Sequence, residues 1–77
     1  MQTEEIYVVA TAEAKFTTIN IREEPDVTSP AIATTKPNTR FLKLAQYGKW
    51  VEVKVEAVYK GTKYDRGWIY ADYITNE

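Results

Sequence analysis

The chain has 77 residues, 44% of them hydrophobic and 27% charged, which describes one small globular domain with a single core rather than a disordered segment. It contains no His and no Cys, which excludes imidazole bases, thiolate nucleophiles, disulfides, Cys/His zinc sites and haem ligation. The formal net charge is −1, so the chain lacks the basic footprint of a protein that grips phosphate backbones, and no nucleic acid is expected as a partner.

Thr, Val, Ile and the aromatics supply 33 of the 77 residues against two Leu, a composition that favours strands from end to end. The first five residues, Met1-Gln2-Thr3-Glu4-Glu5, are acidic and lack the basic start and apolar run of a secretory signal. No apolar stretch approaches the roughly 18 residues of a membrane span, so no membrane insertion is expected. Ile6-Tyr7-Val8-Val9-Ala10 reads as an apolar strand, within an N-terminal strand or tail over 1–16 that precedes the main domain at 17–77. Ala10 to Lys15 has the propensity for a turn of helix but no apolar i, i+4 pair to anchor one.

Thr18-Ile19-Asn20-Ile21-Arg22 alternates apolar and polar side chains, the period a half-buried strand requires. Glu24-Pro25-Asp26 and Ser29-Pro30 then bracket a polar loop. Pro37-Asn38 fits the centre of a tight turn, Pro presetting φ and Asn tolerating the left-handed region. A strand over Phe41 to Gln46 ends at Tyr47-Gly48-Lys49, and Val51-Glu52-Val53-Lys54-Val55-Glu56-Ala57 alternates without a break.

Two loops are open for the next hairpin. A three-residue loop at Tyr59-Lys60-Gly61, with Gly61 in the left-handed position, sets Val51 opposite Ile69 and Trp50 opposite Tyr70, so the apolar faces coincide. A two-residue loop at Lys60-Gly61 sets Val53 opposite Trp68 and Ile69 opposite Glu52, mixing core and solvent faces. The three-residue loop is the expected one. Five to six short antiparallel strands in so small a chain predict an all-β fold closed as a small barrel, since closure protects sheet edges.

Catalytic groups are sparse. The one Ser, Ser29, has no His to activate it, so a hydrolytic triad cannot be assembled and no enzyme activity is expected. Glu23, Glu24 and Asp26 lie close in the chain, but a solvated polar loop accounts for them better than a metal or paired-carboxylate site. The Gly residues stand only at 48, 61 and 67, which gives no phosphate-cradling motif. Neither a metal nor any cofactor is expected.

Aromatic placement is more informative. With Val51, Val53 and Val55 on the core face, Trp50 points outward, with Tyr70 opposite and Trp68 diagonally near on the same side. Contiguous apolar area on so small a surface suits a contact site, although the rings could equally cover one another.

The order of these residues resembles the bacterial Src-homology-3-type (SH3b) domain family, from about Thr17 to Ile74. Its opening Leu/Ile-Asn-Val/Ile-Arg followed by Pro is matched by Ile19-Asn20-Ile21-Arg22-Glu23-Glu24-Pro25, and its Ser-Pro by Ser29-Pro30-Ala31-Ile32. Pro37-Asn38-Thr39-Arg40-Phe41 resembles the turn into the second long strand, and Trp50-Val51-Glu52-Val53 the Trp-initiated third strand. Gly67-Trp68-Ile69 and Tyr73-Ile74 match the close. Glu24 stands where the family usually has Gly, Asn38 replaces a turn Gly, and the segment from Val55 to Gly67 is longer than is usual.

The resemblance implies an SH3-like barrel acting as a non-catalytic targeting module of a larger bacterial protein. In eukaryotic relatives of the fold, equivalents of Trp50, Tyr70 and Tyr73 line a peptide groove, and the flanking acidic loop corresponds here to Glu23, Glu24 and Asp26. Tyr47 beside Gly48 supplies a far wall. Such a groove suits an extended peptide carrying Lys or an amino terminus, rings taking the apolar stem and acids the cation. The implied partner is a peptide such as a peptidoglycan stem peptide, or a protein, with the domain a monomer and the setting the cell envelope or extracellular space. The rival reading is an intracellular protein-protein adaptor or structural spacer without wall affinity. A nucleic-acid barrel stacking bases on the outward rings ranks below both, because Glu52 interrupts the charges of Lys49, Lys54 and Arg66.

Overall fold

The structure, a computed structural model, describes residues 5–10 and 18–76. They form seven strands: β1 (Ile6–Ala10), β2 (Ile19–Arg22), β3 (Ala31–Thr35), β4 (Arg40–Tyr47), β5 (Trp50–Tyr59), β6 (Thr62–Tyr70) and β7 (Ile74–Asn76). A single 3₁₀ turn, Ala71–Tyr73, joins the last two. All seven strands lie in one antiparallel sheet ordered β3-β2-β6-β5-β4-β1-β7, an SH3-like small β fold. The helical turn expected over Ala10 to Lys15 falls on residues 11–15, outside the described residues, while Ala10 itself ends β1.

Two details of the expected barrel are corrected. The strand count rises from five or six to seven because Ile74–Asn76, too short to show an alternation, pairs with β1 through Val8–Asn76 and Ala10–Ile74. The barrel is also not closed: among the described residues β3 and β7 end the sheet and share no ladder. The sheet coils over its core instead, helped by bulges in β3, β4 and β5 that add local twist.

The core is the inward set of these alternations: Val8, Ala10, Ile19, Ile21, Ile32, Val51, Val53 and Ile69 are all buried. Burying each branched member contributes roughly 1.5–3 kcal/mol relative to exposure. Val55 is half-buried against the same cluster, so the valine face of β5 turns inward as its alternation requires. β1 belongs to the sheet on both edges, pairing with β4 and β7, and the Arg40 guanidinium lies 3.8 Å from the centre of the Tyr7 ring. The β3–β4 turn places Asn38 at φ 70°, the left-handed conformation its side chain tolerates.

The β5–β6 hairpin has the expected register at its base and an unexpected loop at its tip. Val51 faces Ile69 and Trp50 faces Tyr70, yet Tyr59 pairs with Thr62, so the loop is the two-residue Lys60-Gly61. Both of its residues have positive φ, 51° and 80°, the pattern of a type I′ turn. The conflict of faces that disfavoured this loop is absorbed between Lys54–Arg66 and Ala57–Tyr64, where β5 carries one residue more than β6. This bulge shifts the register by one position and restores the apolar face below it.

Candidate functional site

Directly opposed residues of an antiparallel pair share a face, so the ladders assemble the outer surface row by row. Tyr47 of β4 lies opposite Trp50 of β5, which lies opposite Tyr70 of β6. The next row runs from Glu52 through Trp68 to Arg22. Trp50 and Tyr70 meet edge to face with ring centroids 5.2 Å apart, and Tyr73 follows at 6.0 Å from Tyr70. Tyr73 reaches that position because the 3₁₀ turn is tied to the β4–β5 turn, the Ala71 N–H donating to the Lys49 carbonyl at 2.7 Å.

A groove opens beside this aromatic row. Among the described residues β2 and β6 pair only at the Arg22–Trp68 bridge, which leaves a gap in their ladder beyond it. The gap is a cleft of about 410 Å³ lined by Trp50, Tyr70 and Tyr73 on one side and by Thr18, Ile19, Asn20, Arg22 and Val27 on the other. The three rings are half-buried, which leaves part of each available to a ligand. Trp50, Tyr70 and Tyr73 are thus brought together in one cleft.

The loop between β2 and β3 forms the end of this cleft and is organised around Ser29. The buried Ser29 accepts the Glu24 N–H on Oγ at 2.9 Å and an Arg22 Nη1–H on its carbonyl at 2.8 Å, while its own N–H donates to the Asp26 carbonyl. The Glu23 N–H donates to the Pro30 carbonyl at 3.0 Å and closes the loop. Asp26 Oδ1 accepts the Thr28 N–H at 2.9 Å, and this bond, aided by the nearby Arg22 charge, holds the Asp26 carboxyl below the ordinary aspartate value. Ser29 is therefore a structural hub of the loop.

The acids Glu23, Glu24 and Asp26 sit in this flanking loop but do not line the cleft, where the charged side chain among the described residues is Arg22. Glu23 instead accepts the Tyr64 hydroxyl, and Asp26 is engaged by Thr28. Tyr47 also stands outside the lining, 68% exposed at the end of the Trp50 row. The opposite wall, with Val27, Asn20 and Arg22, was not foreseen. The alternation of β2 already turned Asn20 and Arg22 outward, but nothing local indicated that β6 would lie beside them.

Among the described residues no three Asp or Glu side chains converge into a metal site, and no helix is long and apolar enough to cross a membrane. No curated protein and no solved structure showed significant similarity to the chain. Residues 17–75 match the family model of the bacterial SH3 domain, so the chain belongs to the bacterial SH3 domain family.

Proposed function

We propose that this bacterial SH3 domain is a non-catalytic binding module that brings a larger protein to a peptide of the cell wall, taken up in the cleft of Trp50, Tyr70 and Tyr73. The observation that carries the reading is the gap between β2 and β6, where half-buried rings and polar side chains face each other across about 410 Å³. Rings supply apolar contact at small entropic cost, and flanking polar groups set the orientation of an extended chain. A Ser-His or Cys-His nucleophile cannot be assembled, since the chain has no His or Cys and its single Ser is held in the loop.

The test is co-sedimentation with purified peptidoglycan, with nucleic acid and denatured protein as controls. Selective binding that Trp50→Ala and Tyr73→Ala each weaken at least about tenfold, with the fold intact, supports the proposal. Unchanged binding by both folded variants moves the site elsewhere. No retention on peptidoglycan removes the cell-wall ligand and leaves the adaptor or spacer role.

A further inference from the structure

We infer that the cleft selects a peptide bearing a carboxylate, held by the Arg22 guanidinium, rather than one bearing a lysine or a free amine. The inference rests on reading the cleft as a peptide site and names the chemistry of its ligand. Arg22 is the charged residue that lines the cleft among the described residues, and its guanidinium is held by the 2.8 Å bond to the Ser29 carbonyl. That bond uses one of five guanidinium donors, leaving others to meet a carboxylate in the planar, two-pronged fashion that arginine favours.

The acids that would reverse this preference do not line the cleft, and Asp26, close enough to feel the Arg22 charge, lies outside the lining. Glu23 accepts the Tyr64 hydroxyl, the Asp26 carboxylate accepts the Thr28 N–H, and Glu24 is exposed without lining the cleft. Asn20 and Thr18 add neutral hydrogen-bonding groups along the same wall, while Val27, Trp50 and Tyr70 offer apolar contact for methyl groups beside the carboxylate. The ligand chemistry is therefore a small apolar residue adjoining an anionic carboxylate, which either a chain terminus or an acidic side chain provides.

The experiment titrates the isotope-labelled domain at neutral pH and low salt with four peptides: acetyl-Ala-Ala as free acid, its C-terminal amide, acetyl-Ala-Glu-amide and acetyl-Ala-Lys-amide. The readouts are the Trp50 indole and Arg22 Nε–H resonances. The inference expects the free acid or the glutamyl peptide to bind about tenfold or more tightly than the neutral amide and the lysyl peptide. Which of the two binds distinguishes a terminal from a side-chain carboxylate. Arg22→Gln should abolish the preference and Arg22→Lys retain only part of it.

Equal binding of all four peptides, tighter binding of the lysyl peptide, or no binding of the acids at millimolar concentration overturns the inference. The comparison of peptides on the unaltered protein decides the matter even if Arg22→Gln does not fold. Trp50→Ala separates the two readings: if it weakens every peptide while no carboxylate preference exists, the cleft stands and the carboxylate does not. If it weakens none, the cleft itself is misplaced.

Discussion

The Tyr64 hydroxyl on β6 donates to the carboxylate of Glu23 at the start of the β2–β3 loop, joining two residues 41 positions apart. The bond ties the long β5–β6 hairpin to the loop that ends the cleft. It also favours the protonated phenol, which has a proton to donate, so the Tyr64 pKa rises above its ordinary 10.0, with desolvation adding to the effect.

A raised pKa in the folded state contributes stability that is fully present below 10.0 and is lost as pH rises through the higher folded value. Glu23→Gln removes the charge but keeps an acceptor, so the Tyr64 titration should move down toward 10.0 and the alkaline loss of stability should shrink. Following the Tyr64 ring carbons by NMR against pH measures this. A phenol that titrates at its ordinary value in the unaltered protein contradicts the assignment.

Gly67→Ala should destabilise the domain by about 1–3 kcal/mol. A Cβ at position 67 would run into Ile21 Cγ2 and come within 3.4 Å of both the Arg22 carbonyl oxygen and Ile32 Cδ1. Gly67 lies opposite Val53 and beside β2 in the core, so relief requires Ile21 or the backbone to move. The lowered midpoint of urea unfolding, at unchanged slope, is the measurement.

The hairpin tip makes opposite predictions at adjacent positions. Lys60 holds a left-handed φ of 51° at a strain that Asn tolerates better, so Lys60→Asn should raise stability by up to about 1 kcal/mol. Gly61, at φ 80°, should lose about 1–2 kcal/mol on replacement by Ala, although nothing lies within 4 Å of the new methyl. Thermal unfolding of the two variants tests the signs. If both shift the same way, the turn is not of type I′.

Tyr47→Ala addresses the edge of the binding face. The residue is 68% exposed and ends the row through Trp50 and Tyr70, so stability should stay within about 0.5 kcal/mol. If the ligand extends along that row, retention on peptidoglycan should fall several-fold. Unchanged retention confines the ligand to the cleft between β2 and β6.

Much of the fold was legible because strand alternation is a local signal. Val51 and Val53 had to face inward once Trp50 and Glu52 faced out, and apolar Ile69 joins that face opposite Val51, as it does in the structure. The register was correct while the loop used to derive it was not. Unbroken alternation through Val55 and Glu56 gives no sign of a bulge, since its position depends on how β6 twists against β5. For the same reason Trp50, Tyr70 and Tyr73 were recognisable as a group, whereas Asn20, Arg22 and Val27 were not recognisable as their opposite wall.

Composition and periodicity determined by themselves an all-β domain, an inward valine face on β5, an outward aromatic row and the absence of imidazole and thiol chemistry. The tertiary structure alone decided that the sheet stays open between β3 and β7, that the β5–β6 loop has two residues, and that an arginine rather than the acids of the β2–β3 loop lines the cleft. The reason is one of range. Alternation assigns a side chain to a face of its own strand, but a cleft arises where two strands distant in sequence part company, and only long-range pairing places that separation.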